Sequence, residues 1–471
     1  MLTSVEQARK KSDSSALGKV RNYNEIIDHL SALKPYEYSE SAVMRMRQLD
    51  KALDTPSSKI DLILVCGTNG KSLTIHFAAK LLKEEQFLVG TSYSTHLLNF
   101  NERIASNFEQ ITNKAFADVL NDVINVAEQE HISATAYELL HMAALVQFTR
   151  EKLNVAVLEV GYGGRLDALC SLTPKIAALT RVADDQVGIL GSDLDHIAFE
   201  MLEIAKPGSW FISAEQSKIR LQKMKTIADE HKVLWAMPIR KLSALPYIYE
   251  QLYGRIASLG ERIAQIYAED IKSKFSPFLR GNLLATEKGR RGRPTLEAKR
   301  NSELNPIKTL KGFWTEQFDL LKGRFEFLDK EKPSILLDNA SNIDALNNLF
   351  LGIRLLHYQK PLKGLNIVMA LSKAIDPTEA LKLVRYLLKK VNGSMLFVEL
   401  PANANGIEGH SAELLASIAK DMNVKARACV TLEEAFDLAK ASVDERDGLV
   451  VISGSQDLIS AYWHLRGIKK F

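Results

Sequence analysis

The feature that most constrains the fold is a short glycine-rich turn, Gly67-Thr68-Asn69-Gly70-Lys71-Ser72. Before it, the apolar run Lys59–Cys66 predicts a buried strand, and after it the apolar spacing over Ser72–Glu84 predicts an amphipathic helix. Glycines let the backbone turn tightly so that its N–H groups point into one concavity, to which the helix N-terminus adds positive potential. The lysine can contact outer phosphates, and the hydroxyl after it can contact Mg²⁺. The turn therefore predicts a nucleotide-phosphate site.

Strand and helix patterns alternate in two stretches of the chain. The first stretch includes predicted strands at Val155–Val160, Ile176–Thr180 and Trp210–Ser213, and a second alternation begins at Ile335. Such alternation favours parallel sheets covered by helices on both faces. We predict an α/β protein: a P-loop-type doubly wound parallel-sheet domain (residues 1–273), a basic flexible insertion or linker (274–306), and a smaller Rossmann-like domain (307–471).

Composition excludes several classes of function. The formal net charge is only +4 over 471 residues, which gives no argument for binding nucleic acid or an anionic membrane. The chain has no apolar run near the about 18 residues of a membrane span. Its three cysteines are widely separated and fit neither a disulfide framework nor a metal spacing. We expect a soluble, cytoplasmic monomer.

Further motifs follow the turn in a recognisable order. The segment Leu158–Ala168 reads LEVGYGGRLDA, and Gly323-Arg324-Phe325-Glu326 comes much later in the chain. With GTNGK, these segments resemble the phosphate loop, the E-V-G-x-G-G-R-L-D-A segment and the G-R-[FL]-E motif of the folylpolyglutamate and dihydrofolate synthases, within the Mur ligase superfamily. Other similar segments are Ser94–Leu97, Asn101–Ile104, Thr135–Glu138, Ile189–Gly191, Ile197–Glu200, Lys206–Gly208, the segment opening at Asp338, and Gly454-Ser455.

The resemblance implies a definite chemistry. ATP would phosphorylate a folate or pteroate carboxylate, and the amine of L-glutamate would attack the acyl phosphate to form an amide. Lys71 and Glu159 would serve catalysis, and Arg324 and Asp338 would bind ATP together with residues 67–72. The Mg²⁺ ligands implied are Ser72, Ser94, Glu159 and Gln186. The residues implied for the substrate are Thr135, Ala136, Tyr137, Glu138, Leu166, Asp167 and Ala168.

Several positions depart from the pattern of these synthases. A histidine ligand of a second Mg²⁺ is replaced by Gln186, and a lysine that becomes carbamylated to hold that metal is replaced by Met201. The histidine of D-G-A-H-N-P becomes Ser341. The H-Q-x-x-N element becomes Ile256, Ala257 and Gly260, and a D-K-D element becomes Ser372-Lys373-Ala374. The losses concern mainly the second metal, whereas the first metal site keeps its oxygen ligands.

Three functions stay open on this basis. The first is a folate–glutamate ligase that is active with a reorganised site. The second is a Mur-type ligase that joins another carboxylate and amino acid. The third is a nucleotide- or folate-binding pseudoenzyme with impaired catalysis.

Overall fold

Two largely parallel sheets follow one another along the chain. The computed structural model describes residues 18–184, 189–238, 245–280, 310–400 and 408–471. Within those residues the first sheet has eight strands in the order β4-β3-β2-β5-β1-β6-β7-β8. Their bounds are β1 Asp61–Cys66, β2 Val89–Ser92, β3 Ile104–Ser106, β4 Glu109–Gln110, β5 Val155–Glu159, β6 Ile176–Leu179, β7 Trp210–Ser213 and β8 Leu234–Ala236. In this order, the neighbouring strands β2, β5, β1, β6, β7 and β8 pair in parallel. At the β2 edge, β3 pairs antiparallel with β2, and β4 pairs antiparallel with β3.

Helices cover both faces of this sheet. They are α1 Tyr23–Ala32, α2 Glu40–Ala52, α3 Lys71–Glu84, α4 Asn113–Gln129, α5 Ala136–Arg150, α6 Leu194–Leu202, α7 Lys218–Glu230, α8 Tyr247–Ile266 and α9 Pro277–Arg280. One apolar core buries side chains of α3 and α8, and the other buries side chains of α1, α2, α4, α5 and α6. Because β1 lies between β5 and β6, its side chains are buried on both faces, as its continuous apolar sequence predicts.

The second sheet has six strands among the described residues, in the order β13-β12-β11-β14-β10-β9. Only β9 is antiparallel to its neighbour. The strands are β9 Glu326–Leu328, β10 Ser334–Asp338, β11 Leu365–Met369, β12 Ser394–Phe397, β13 Ala426–Ala428 and β14 Leu449–Ser453. The helices are α10 Leu310–Glu316, α11 Ile343–Gln359, α12 Pro377–Lys390, α13 Ala412–Asp421, α14 Leu432–Ala441 and α15 Gln456–Leu465.

The two domains share an apolar core. Side chains of α3 and α8 in the first domain lie in the same buried cluster as Leu336, Leu346 and Phe350 of the second. Gly352 of α11 packs directly on this interface, since a Cβ there would lie 3.0 Å from Leu252 Cδ1 and closer still to the ring of Phe325. At this interface the carboxyl ends of β5 and β10 line one cavity through Glu159 and Asp338.

The predicted fold class is confirmed. The predicted domain limits stay a prediction, and the start of the predicted insertion is ordered. Lys274 forms an ion pair with Glu85 (3.6 Å), Ser276 donates to the same carboxylate, and Leu279 of α9 is buried. Residues 281–306 of the insertion lie outside the described residues. In the described part of the chain no helix combines the length and apolar character needed to cross a membrane.

Candidate active site

The glycine-rich turn joins β1 to α3 in a conformation that requires glycine. Gly67 has φ +125°, and a Cβ there would lie 2.0 Å from Thr180 Oγ1. Gly70 has φ +90°, and a Cβ there would lie 2.6 Å from Ile256 Cδ1. Both positions therefore exclude side chains for conformational and for steric reasons. The turn also donates the Thr68 N–H to the Arg181 carbonyl (2.9 Å), which fixes it to the end of the neighbouring strand β6.

Lys71 places a positive charge on this turn. It is the first residue of α3, and its Nζ donates to the carbonyl oxygens of Gly67 (2.9 Å) and Thr68 (3.5 Å). The ammonium therefore lies against the turn itself, beside the N-terminus of a helix of 14 residues. Lysine charge and helix N-terminus together favour an anion at this place.

Glu159 lies beside the turn because β5 pairs with β1. The register places Glu159 opposite Val65, so that its carboxylate follows the same sheet edge as the turn. Its Oε1 accepts from Ser72 Oγ (3.2 Å), and its Oε2 accepts from the backbone N–H of Ser94 (3.3 Å). Glu159 is 4% exposed. A buried carboxylate and a hydroxyl at a phosphate loop are a donor set that suits Mg²⁺, which prefers oxygen and binds through few protein ligands plus phosphate oxygens.

The second domain contributes the opposite wall of the site. Arg324 Nη2 lies 3.4 Å from Ser72 Oγ. Asp338, at the end of β10, accepts from the backbone N–H groups of Phe325 (2.8 Å) and Ala340 (2.9 Å). Burial raises the pKa of Asp338 to about 6, although these hydrogen bonds oppose the shift. A cavity of about 340 Å³ lies between the domains, lined by Lys71, Ser72, Ser94, Glu159, Arg324 and Asp338 among others.

A polar contact ties the turn to α11. Asn69 Nδ2 donates to Asn342 Oδ1 (3.0 Å) and to Asp344 Oδ2 (2.7 Å), and Asn342 Nδ2 donates back to Asn69 Oδ1 (3.1 Å). Asp344 Oδ1 also pairs with Arg181 Nη2 at 3.0 Å. The first turn of α11 therefore docks directly onto the phosphate loop. Sequence reasoning missed Arg181, Asn342 and Asp344, although Arg181 follows β6 just as the turn follows β1.

The predicted substrate residues form two buried polar arrangements. Thr135 caps α5, and Glu138, which is fully buried, accepts from Arg45 Nε (3.0 Å) and Nη2 (2.7 Å). The predicted role of Thr135, Ala136 and Glu138 in substrate binding stays a prediction. In the structure, the contact of Glu138 with Arg45 anchors α5 to α2.

The second arrangement surrounds Asp167. Its carboxylate accepts from Tyr137 Oη (3.1 Å) and from the Tyr162 N–H (3.1 Å), and burial raises its pKa. Tyr36 covers this group: its ring centroid lies 4.2 Å from that of Tyr137, and its Oη accepts from the Ala168 N–H (2.8 Å). Tyr36 thus contacts Tyr137, Asp167 and Ala168. The side chain of Leu166 is half-buried.

Of the positions that depart from the synthase pattern, Met201 and Gly260 take structural roles. Met201 is buried in the core, where its backbone carbonyl accepts from Cys66 Sγ (3.8 Å). Gly260 lets α8 approach α3, since a Cβ there would lie 3.0 Å from Phe77 Cβ. Lys373 pairs with Glu408 (2.6 Å) at the surface, and Ser341 is exposed at the cavity. Gln186 lies outside the described residues.

Fold and site define a class: a two-domain α/β protein with a glycine-rich strand–turn–helix loop and a buried carboxylate at the domain interface. Solved structures of the same fold are folylpolyglutamate synthases. A bifunctional folylpolyglutamate synthase/dihydrofolate synthase from Yersinia pestis matches with TM-score 0.70 and 22% identity, over 95% of this chain and 99% of that one. Mycobacterium tuberculosis folylpolyglutamate synthase complexed with ADP matches with TM-score 0.72 and 19% identity, over 94% and 98% of the two chains.

Sequence relatives carry the same names and confirm the predicted resemblance. A Bacillus subtilis dihydrofolate synthase/folylpolyglutamate synthase is 30% identical over 212 residues, 44% of this chain and 48% of that protein. The chain thus spans about half the length of that curated relative. Lacticaseibacillus casei folylpolyglutamate synthase is 25% identical over 353 residues, 72% of this chain and 78% of that protein. No family model matches the chain.

Proposed function

We propose that this chain is an ATP-dependent ligase that forms an amide between a folate or dihydropteroate carboxylate and L-glutamate through an acyl phosphate. The observation that carries the proposal is the meeting of Ser72, Glu159 and Arg324 at one cavity beside the phosphate loop. The named relatives support the choice of substrates, and the neighbour from Y. pestis was solved with AMPPNP and Mn.

Each residue has a defined task in this proposal. The loop N–H groups and Lys71 bind the phosphates and stabilise the negative charge of phosphoryl transfer. Arg324 approaches the same place from the second domain. Ser72 and Glu159 would hold Mg²⁺, which neutralises phosphate charge when it is bound. Small molecules are then the partners, and we infer a cytoplasmic monomer.

A phosphate-release assay tests the proposal. Purified protein is mixed with ATP, Mg²⁺, L-glutamate and either dihydropteroate or tetrahydrofolate. Release that requires both the folate and glutamate supports the proposal, and Lys71→Ala should reduce it by about a hundredfold or more because a charge at the phosphoryl group is lost. Lys59→Ala, at the other end of β1 and paired with Asp54 at the surface, is the control.

Other outcomes identify the alternatives. Release only with other acceptors indicates a Mur-type ligase with different substrates. Binding of ATP without turnover indicates a pseudoenzyme. Normal turnover by Lys71→Ala would contradict the assignment of the loop.

A further inference from the structure

One face of the helix that begins at the phosphate loop carries three polar side chains in a row. Ser72, His76 and Lys80 are four residues apart on α3, so they lie on the same side of the helix one turn above the other. All three contact residues 317–324, which lie between α10 and β9 of the second domain. Ser72 Oγ lies 3.4 Å from Arg324, and His76 Nε2 lies 2.8 Å from Asp319 Oδ1.

Lys80 contacts the same segment as Ser72 and His76. Its Nζ donates to the Gln317 carbonyl (2.9 Å) and to Asp319 Oδ1. We call His76, Lys80 and Asp319 the Asp319 latch. Asp319 stands five residues before Arg324, and the chain between them makes a tight turn in which the Arg324 N–H donates to the Leu321 carbonyl (3.2 Å). With such a short connection, the latch limits where the Arg324 guanidinium can lie.

The charges within the latch are complementary. Partial burial alone would raise the pKa of Asp319, but hydrogen bonds from His76 and Lys80 outweigh it and lower the pKa below its usual value. The His76 side chain is only 8% exposed, and the edge of its ring faces Phe108, with the ring centroids 5.8 Å apart. A carboxylate held by two donors, one of them nearly buried, is fixed better than a solvated surface pair.

We propose that Asp319 is a positioning residue: gripped by His76 and Lys80, it holds Arg324 against the phosphate loop. The proposal rests on the proposed function only in that the cavity binds a nucleoside triphosphate. The hydrogen bonds of the Asp319 carboxylate go to His76 and Lys80 of α3. Its effect on nucleotide could therefore pass through α3 or through Arg324, and the proposal places it on Arg324.

A double-mutant cycle with Arg324 tests this route, using the full chain, Mg²⁺ and AMPPNP in calorimetric titrations. Asp319→Asn should weaken AMPPNP binding by about threefold, the size expected for loss of one partly exposed ion pair. In the Arg324→Met background the same substitution should have no further effect. Asp319→Glu should retain most of the affinity. Asp122→Asn, which removes the ion pair between Asp122 of α4 and Arg150 of α5, should retain all of it.

Two results overturn the proposal. One is an unchanged AMPPNP affinity in Asp319→Asn, and the other is a loss that adds fully to that of Arg324→Met. If the unsubstituted chain binds no AMPPNP, the proposed nucleotide site is refuted. Amide hydrogen exchange over residues 317–324 then tests whether the Asp319 latch restrains this segment. Exchange should then be about threefold faster in Asp319→Asn but not in Asp122→Asn. Equal exchange in all three proteins would refute the latch.

Discussion

At the scale of residues, the site follows from where parallel strands end. Lys71 was singled out from the glycine-rich turn after an apolar run, and Glu159 from the resemblance of Leu158–Ala168 to the synthase segment. The pairing of the adjacent parallel strands β1 and β5 brings the two to the same edge of the sheet. The contacts of Asn69 with Asn342 and Asp344 were not predictable, since those residues are more than 270 positions apart and meet only through domain packing.

Asp338 gives a prediction about pH. Its folded-state pKa is about 6 and its ordinary value is 3.8, so between these values the folded protein binds more protons than the unfolded chain. Stability then falls as pH rises through this window and stays lower above it. In Asp338→Asn this contribution is absent. The free energy of unfolding of the native chain, relative to the variant, should therefore drop by about 2–3 kcal/mol from about pH 4 to about pH 7.

Urea unfolding at the two pH values measures this difference, provided the transition of the second domain is followed. A difference between the two proteins that does not change with pH would contradict a raised pKa at Asp338.

At the scale of elements, the alternating pattern predicted most of the strands and helices because buried parallel strands are continuous apolar runs. β1, β5, β6, β7 and α3 lie close to their predicted limits. The short edge strands β3 and β4 escaped prediction, since three and two residues at a sheet edge carry no periodicity. The helix α7 was missed as well; only Met224 and Ala228 are buried on it, so its apolar stripe is narrow.

The start of α3 depends on Gly70. Gly70→Ala should destabilise the protein by about 2–3 kcal/mol, since it combines a left-handed backbone with a Cβ that would lie 2.6 Å from Ile256 Cδ1. Gly208→Ala is a matched control: its φ is +81°, and nothing lies within 4 Å of the added Cβ. It should cost only about 1 kcal/mol from backbone strain.

Thermal unfolding compares the two variants. In an Ile256→Ala background, where the contact with Cδ1 is absent, Gly70→Ala should cost only the backbone part of the loss. Equal destabilisation by Gly70→Ala and Gly208→Ala would show that the contact with Ile256 does not contribute to the loss of stability.

At the scale of the whole molecule, the site lies where the two domains meet. The sequence therefore predicted residues on each side of the site but not the contacts between the domains. Asp344 links the second domain to Asn69 and Arg181 of the first.

Asp344→Ala should loosen the contact by about 0.5–1 kcal/mol, the range for partly exposed ion pairs. Amide hydrogen exchange at residues 67–70 in the nucleotide-free protein should then become faster. Asp447→Ala removes a surface carboxylate that pairs with Lys360 and Lys363 within the second domain, and it should leave that exchange unchanged. Equal exchange in both variants would mean that Asp344 does not restrain the loop.

A crystal structure with AMPPNP and Mn²⁺, with metal ions located by anomalous scattering, tests the central claim most directly. We predict triphosphate oxygens against residues 67–72 and a Mn²⁺ ion ligated by Glu159 and the Ser72 hydroxyl. Density for the nucleotide elsewhere, or a metal ion that is not coordinated by Glu159, would contradict the account.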